Sequence, residues 1–321
     1  MYPFISDILR DLFGFESPIE IFSFGFMVAV AVLVAGWLLQ KELDRMYRAD
    51  LIGGVLIRNP EKSRKGSGKR DAGGEELLTV SPSHLVGTIT VLTIFVGFAG
   101  AKAFHILENT SQFAADPWRM IVSSGGFTFY GGMIMATVVI MWYVRSKNLS
   151  MLRVADAAAP GLMLAYGIGR IGCYLAGDGD WGVCSDLAEK PSWLPAALWS
   201  ETFDRNLLGP NRQPIDVLEY MNCPPAADGV YPTMLYEFAM AVAIFLVLWS
   251  IRKHRHAAGW LFGVYLIFNG LERFAIEQIR VNNVGSLLGM QVTQAEVIAV
   301  LIAVVGVAVA VFARRGGDSG G

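Results

Sequence analysis

The segment WLFGVYLIFNGLERFAIEQIR, residues 260–280, combines an apolar run of membrane length with charged side chains. A helix needs about 20 residues to cross the ~30 Å hydrocarbon core of a bilayer. Its polar side chains Asn269, Arg273, Glu277 and Arg280 recur at helical spacing, which places them along one stripe of a helix. The segment therefore predicts a membrane helix that carries a polar stripe.

Six other apolar runs of similar length accompany this segment. Of the 321 residues, 54% are hydrophobic and only 17% are charged, which excludes an ordinary soluble domain. The runs are continuous rather than alternating, a pattern typical of helices and not of a membrane β-barrel. We therefore expect an all-α, polytopic membrane protein with about seven transmembrane helices and an external loop region. The predicted spans are 20–40, 85–107, 126–145, 155–176, 233–251, 259–281 and 292–313.

Basic residues are concentrated on one side of the predicted spans. Of the 26 Lys and Arg residues, nine lie in 41–84, three in 145–153, three in 252–256 and two at Arg314 and Arg315. The positive-inside rule makes this side cytoplasmic, which leaves the N-terminus outside and the C-terminus in the cytoplasm. The net charge of −2 gives no basic field of the kind that nucleic acids attract.

Four regions of the chain differ in composition from the spans. Residues 1–19 form a lead-in whose apolar side chains recur at helical spacing, which fits either a short interfacial helix or a mobile terminus. The transmembrane domain covers 20–313 and includes a flexible cytoplasmic connector, 41–84, whose centre is polar and Gly-rich. It also includes the long external loop 177–232. Residues 314–321 form a cytoplasmic tail.

Charged side chains inside predicted spans are functional candidates because the bilayer makes them costly. Arg273 and Glu277 lie one helical turn apart and are either an ion pair that neutralises itself or part of a site. A buried ion pair returns little stability by itself, which favours the site. Snorkelling to the interface accounts for Arg280.

The fourth predicted span ends in AYGIGRIGCYLAGDGDWG, residues 165–182. This stretch puts Arg170 in a Gly-rich turn of membrane helix before an acidic exit. A dinucleotide-binding loop is excluded because no strand precedes the glycines. The glycines allow either close helix packing or the approach of a lipid headgroup to the backbone, and both interpretations stay open.

The chain has three cysteines, which form neither a CxxC motif nor a zinc pattern. We therefore predict no metal and no cofactor. Cys184 and Cys223 both fall in the external loop, where the sequence is compatible with either a disulfide or two free thiols.

Four motifs, in this order, resemble those of the prolipoprotein diacylglyceryl transferase family. They are GGFTFYGG at 125–132, GRIGCYLAGDGDWG at 169–182, YPTMLYE at 231–237 and ERFAIEQIR at 272–280. The resemblance extends over about 20–313. The family signature runs from Gly-Arg-x-Gly to an acidic residue and Trp-Gly, and it is matched here by Gly169, Arg170, Gly172, Gly177, Asp178, Trp181 and Gly182.

This resemblance implies an activity and its partners. A member of the family would transfer the diacylglyceryl group from phosphatidylglycerol to the lipobox cysteine thiol of a preprolipoprotein. The implied partners are phosphatidylglycerol, preprolipoprotein signal peptides with a lipobox cysteine, and the bilayer, without nucleic acid. The implied location is the bacterial plasma (inner) membrane, with the loop region on the periplasmic side.

The resemblance also implies a set of site residues. We expect Arg170 and Arg273 to bind the lipid phosphate through charge-assisted hydrogen bonds and to stabilise the charge that develops as it leaves. The expected catalytic residues are Arg170, Arg273, Tyr130, Tyr236 and Glu277. The expected substrate-binding residues are Arg170, Gly172, Asp178, Gly182, Glu237 and Arg280.

Three positions depart from the family pattern. Tyr130, Cys173 and Phe24 stand where the family has His, Asn and Tyr. Tyrosine is a poor base at neutral pH, so we expect Tyr130 to donate a hydrogen bond, with Glu277, Asp178 or His105 as alternative bases. The replacements support one alternative, a non-catalytic phospholipid-binding paralogue. A membrane transporter is a further alternative, but the sequence lacks the related halves with broken helices that it would favour.

Overall fold

The computed structural model describes residues 1–15, 18, 20–58, 77–123, 128–209, 212–254, 257–280, 284–287 and 290–318. This part of the chain is mostly helical. The helices are α1 (Ile5–Phe13), α2 (Ser23–Arg48), α3 (Val86–Glu108), α4 (Thr110–Ala115), α5 (Pro117–Val122), α6 (Phe129–Ser146), α7 (Met151–Ala176), α8 (Val217–Tyr220), α9 (Thr233–Ile251), α10 (Trp260–Glu277) and α11 (Gln294–Asp318).

The described chain is mostly helical, as predicted, but it also contains short strands. They form three antiparallel pairs. A two-stranded ladder needs only a few residues, so it leaves little trace in the hydropathy pattern. The pairs are β1 (Val55–Arg58) with β2 (Leu77–Val80), β3 (Cys184–Ser185) with β4 (Gly229–Val230), and β5 (Val284–Leu287) with β6 (Met290–Thr293).

Four described helices are long and apolar enough to cross a membrane, judged by length and composition. They are Ser23–Arg48, Pro82–Glu108, Thr233–Ile251 and Gln294–Arg314. The other three predicted spans also lie on helices, α6, α7 and α10, but these are not among the four. In α10 the side chains of Glu272, Arg273 and Glu277 interrupt the apolar run.

The chain divides into two compact units. The first unit contains residues 1–35 and 158–321, and the second contains 36–157. In the first unit α10 packs on α11 through glycines that admit no side chain. A Cβ on Gly270 would lie 2.5 Å from the carbonyl oxygen of Ala299. Small residues therefore bring these two helices into backbone contact.

The second unit contains α3 and α6, which pack through the Gly-Gly pair that follows Tyr130. A Cβ on Gly131 would lie 2.3 Å from Cβ of Phe104, and one on Gly132 would lie 2.7 Å from the carbonyl oxygen of Gly97. Helix packing therefore explains these two glycines.

The predicted flexible connector, 41–84, is structured at both of its ends. Helix α2 continues to Arg48, and β1 pairs with β2. Leu43, Met46 and Val55 belong to a buried apolar cluster of the second unit. The prediction of flexibility then concerns only 59–76, which lies outside the described residues.

The predicted external loop, 177–232, packs a small apolar core against Cys173 of α7 and Met234 of α9. Trp181, Phe203, Val217 and Val230 are buried together, and β3 pairs with β4. A disulfide joins Cys184 to Cys223 across a sequence separation of 39 residues. Of the two alternatives that the sequence left open, the structure has the disulfide.

Candidate functional site

The acidic turn after α7 is fixed by backbone contacts within the first unit. The Gly182 N–H donates to the carbonyl oxygen of Tyr231 at 2.8 Å, and the Thr233 hydroxyl donates to the carbonyl oxygen of Asp180 at 2.7 Å. A Cβ on Gly182 would lie 2.7 Å from the carbonyl oxygen of Ile279. Glycine is thus required there by packing, and the turn is held against the ends of α9 and α10.

This arrangement creates a partly buried cluster of four charges. Arg170 donates to both Asp180 and Glu237, and Arg280 donates to the same two carboxylates, with 3.2 Å between its Nη1 and Oε1 of Glu237. The Glu237 side chain is fully buried and that of Arg280 is 9% exposed. Two guanidiniums and two carboxylates balance, and each charge is compensated as burial requires.

Asp180 is held ionised by this cluster. Burial raises the pKa of its carboxyl, but the guanidiniums of Arg280 and Arg170 outweigh burial and hold that pKa below its usual range. Asp180 therefore stays a carboxylate at neutral pH.

Tyr166 and Glu272 extend the cluster. The Tyr166 hydroxyl lies 2.6 Å from Oε2 of Glu237 and 3.2 Å from Oε1 of Glu272. Glu272 is buried, with 4% of its surface exposed. The guanidinium of Arg170 lies 5.2 Å from the centroid of the Tyr166 ring, which adds a cation–π contact one helical turn apart.

Arg273 is held less completely than the other two arginines. Its Nη2 lies 3.2 Å from Oε2 of Glu277, whose Oε1 accepts a hydrogen bond of 2.7 Å from the Thr293 hydroxyl. The buried Nη1 of Arg273 has no hydrogen-bond partner among the described residues. This guanidinium therefore retains donor capacity for a ligand.

Arg280 does not snorkel as the sequence suggested. Its guanidinium turns into the cluster, because the part-exposed Asp180 and the buried Glu237 offer it two carboxylates. A snorkelling arginine extends its side chain to the water at the membrane surface. Arg280 instead forms charge-assisted hydrogen bonds with carboxylates of the protein.

Other predicted site residues lie apart from the cluster's charged contacts. The Tyr236 hydroxyl donates to the carbonyl oxygen of Leu198 at 2.6 Å. A Cβ on Gly172 would lie 3.0 Å from Cβ of Met27, so helix packing explains this glycine. The carboxylate oxygens of Asp178 and Asp180 and the Cys173 sulfur lie within 4.8 Å of one another.

Cys173, Asp178 and Asp180 carry atoms of the types that bind metal ions, but the negative charge of Asp180 is already paired with two guanidiniums. Both oxygens of Asp180 accept hydrogen bonds from Arg170 and Arg280. A cation would have to displace these guanidiniums, so we assign no metal to Cys173, Asp178 and Asp180.

Tyr130 belongs to the second unit, at the second residue of α6, with 46% of its surface exposed. His105, the alternative imidazole, lies in the last turn of α3 in the same unit, with its Nδ1 3.4 Å from Nδ2 of Asn109.

Sequence reasoning missed three members of the cluster. Asp180 was overlooked in favour of Asp178, although GDGDWG contains both. Glu272 lies within a predicted span and carried the same signal as Arg273, a charge where the bilayer makes charge costly. Tyr166 carried no signal, because a tyrosine in a membrane helix is ordinary.

Apolar helices of membrane length together with an internal cluster of arginines and carboxylates define a multi-pass membrane protein with a polar site among its helices. Residues 70–312 match the family model described as prolipoprotein diacylglyceryl transferase. The chain belongs to this family and is therefore a transferase.

Relatives of this chain include three proteins named phosphatidylglycerol–prolipoprotein diacylglyceryl transferase. The protein of Chromohalobacter salexigens is 25% identical over 303 residues, which cover 93% of this chain and 90% of the relative. That of Clostridium tetani is 25% identical over 291 residues, 89% of this chain and 90% of the relative. That of Corynebacterium diphtheriae is 26% identical over 234 residues, 71% of this chain and 77% of the relative.

Proposed function

We propose that this protein transfers the diacylglyceryl group of phosphatidylglycerol to the lipobox cysteine of preprolipoproteins, the first step of lipoprotein maturation. The thiol sulfur attacks the glyceryl carbon, a C–S bond forms, and the C–O bond to the phosphate breaks. Glycerol phosphate leaves with the electron pair, and the thiol loses its proton. Family membership and the names of the relatives support this reaction.

The observation that carries the proposal is the incomplete bonding of Arg273. A buried guanidinium nitrogen that has no hydrogen-bond partner within the described part of the chain is ready to donate to a phosphate oxygen. This contact would strengthen as negative charge develops on the leaving phosphate, which is how a donor lowers a barrier. Glu277 orients Arg273 from the next helical turn.

The remaining site residues have three roles in this proposal. Arg170 and Arg280 form a frame with Asp180 and Glu237, and donors of Arg170 outside these contacts complete the phosphate site. Tyr236, Asp178, Gly172 and Gly182 shape the protein around the headgroup. Tyr130 donates a hydrogen bond to the headgroup or to the thiol.

A reconstituted assay tests the activity directly. Purified protein in phosphatidylglycerol vesicles is mixed with a lipobox peptide, and the thioether-linked product is measured by mass spectrometry. The matched control is the same peptide with serine in place of the cysteine. A protein that binds phosphatidylglycerol but never modifies the cysteine peptide would instead be the non-catalytic paralogue.

We expect Tyr130→Phe to lower the transfer rate only a few-fold. A hydrogen bond contributes about 0.5–1.5 kcal/mol, and a cysteine thiol with a pKa of about 8.5 is already partly ionised at neutral pH. Single-turnover rates measured from neutral to alkaline pH should climb toward the thiol pKa in both proteins. Tyr130→His should be tolerated.

Two results would contradict this role of Tyr130. Loss of turnover in Tyr130→Phe, with phosphatidylglycerol binding intact, would make the phenol an acid or a base. Loss of turnover in His105→Ala alone would indicate that the general base is His105 on α3.

We further propose seven membrane spans in the bacterial plasma (inner) membrane, with the N-terminus outside and the C-terminus in the cytoplasm. The distribution of Lys and Arg supports this orientation. The Cys184–Cys223 disulfide supports an external loop 177–232, since disulfides persist in oxidising compartments. Helix α1, with Leu12 66% and Phe13 76% exposed, suits the outer interface of the bilayer.

Reporter fusions test this topology. A reporter fused after Arg315 should be active only in the cytoplasm, and a tag inserted at 210–211 should be labelled from outside intact spheroplasts. Cys184 and Cys223 should resist alkylation until a reductant is added, whereas the control, a cysteine introduced at Ser146, should react only after the membrane is permeabilised. An externally exposed C-terminus would reverse the orientation.

A further inference from the structure

Glu237, Tyr166 and Glu272 of the first unit form a row of two oxygen–oxygen contacts. Each contact needs one hydrogen, but with both glutamates ionised the row contains only the hydroxyl hydrogen of Tyr166. The Tyr166 hydroxyl lies 2.6 Å from Glu237 and 3.2 Å from Glu272. A phenol carries a single hydrogen and can donate it to only one of the two. The other contact needs a hydrogen from elsewhere.

Glu237 is the acceptor of the Tyr166 hydrogen. Its carboxylate is also paired with the guanidiniums of Arg170 and Arg280. Bonds to an ionised acceptor are shorter and stronger than neutral ones, and the contact to Glu237 is the shorter of the two. The Tyr166 oxygen therefore presents lone pairs to Glu272.

Among the described residues, Glu272 lacks the ion pair that would offset the cost of burying an ionised carboxylate. It is 4% exposed, and its Oε2 has no hydrogen-bond partner in the part of the chain that the structure describes. None of the ion pairs between described residues includes it. If Glu272 were ionised, a buried charge would face the lone pairs of Tyr166, which is costly.

A proton on Glu272 satisfies the whole row. The carboxylic acid then donates to the Tyr166 oxygen, Tyr166 donates to Glu237, and Glu237 accepts from both arginines. We propose that Glu272 is a neutral acid at neutral pH and, through Tyr166, positions the carboxylate that holds Arg170 and Arg280. Glu272 is thus a positioning residue, and its effect on activity rests on the proposed function.

The surroundings of Glu272 belong to four helices. The start of α11 offers Glu296, which instead accepts a hydrogen bond from Gln278 at 2.8 Å. The charged and titratable groups that act on Glu272 are Tyr166 and Arg170 from α7, Glu237 from α9, and Tyr265 and Arg273 from α10 itself.

Infrared spectroscopy tests the proton directly. The wild-type protein in lipid nanodiscs at neutral pH should show the carbonyl stretch of a protonated carboxylic acid, and the difference spectrum against Glu272→Gln should contain this band. The matched control is Glu42→Gln, since Glu42 is 2% exposed but pairs with Arg45 at 2.6 Å. Absence of the band from the Glu272 difference spectrum, or its equal presence in the Glu42 one, would overturn the proposal.

Activity across pH gives a second readout. Glutamine mimics the neutral acid, because its amide donates to Tyr166 as the acid does. The ratio of the Glu272→Gln rate to the wild-type rate should be about one near neutral pH and should rise at least about threefold by pH 9, as the wild-type acid ionises and breaks the row. Ionisation of the substrate thiol acts on both proteins and cancels in the ratio.

Three further outcomes bear on the proposal. Glu272→Leu removes the donor to Tyr166 and should lower kcat/KM by about tenfold. A tenfold loss in Glu272→Gln at neutral pH would show that a carboxylate is required and would refute the neutral acid. If the wild-type protein transfers nothing, the proposed function fails, while the infrared band still decides the state of Glu272.

Discussion

Replacing Arg273 should remove most of the transferase activity. We expect Arg273→Ala to lower the single-turnover rate by about a hundredfold or more, the usual effect of losing one donor to a charge that develops in the transition state. Arg273→Lys should keep the positive charge opposite Glu277 but lose the planar guanidinium, which can donate two parallel hydrogen bonds. Its rate should therefore lie between those of Arg273→Ala and the wild type. The rate of glycerol phosphate release from phosphatidylglycerol vesicles, in the presence of a lipobox peptide, measures both effects.

The control for Arg273 is Arg205→Ala. Arg205 is also in the first unit, but its side chain is 55% exposed, and it pairs with Asp11 at the surface. Exposed ion pairs contribute little, so this variant should keep wild-type activity. Near-normal transfer by Arg273→Ala would remove Arg273 from the phosphate site.

Replacing Arg170 should reduce stability as well as activity. Asp180 and the fully buried Glu237 would share the single remaining cation, Arg280. Removing one partner of a buried ion pair destabilises proteins by about 3–5 kcal/mol, and we expect a loss of this order for Arg170→Ala in detergent unfolding experiments. Transfer should fall at least as far as it does in Arg273→Ala.

A charge-balanced variant separates the two effects. Arg170→Gln combined with Asp180→Asn removes one cation and one anion, so much of the stability should return while activity stays low. Double-variant coupling of this kind is expected for residues in one network. An Arg170→Ala protein that unfolds like the wild type would show that the four-charge cluster does not hold the helices together.

The positions of the helices could be predicted from the sequence because hydropathy is a local property. The described part of each of the seven apolar runs lies largely on a helix. The sequence also singles out Arg170, Arg273 and Glu277, since a charge within an apolar run is conspicuous, whereas Glu237 is expected only from the family resemblance. The short strands and the structured ends of 41–84 were missed, because pairing over four residues leaves no periodic signal.

The charge pairing was decided only by the tertiary structure. Asp180 and Arg280 are 100 residues apart, and Tyr166 and Glu272 are 106 apart. Helical spacing fixes which side chains share a face, but not which faces meet. The choice of Asp180 over Asp178 depends on the contacts of Thr233 and Gly182 with the acidic turn.

The sequence by itself therefore predicted a mostly helical membrane protein, its family, and the charged side chains that lie within apolar runs. Each of these follows from residue type and local spacing. The tertiary structure decided that Arg280 faces inward, that Cys184 bonds to Cys223, and that Glu272 meets Tyr166. These contacts depend on how helices and loops that are distant in sequence pack together. The bilayer requires each buried charge to have a partner, but this requirement does not specify which partner it has.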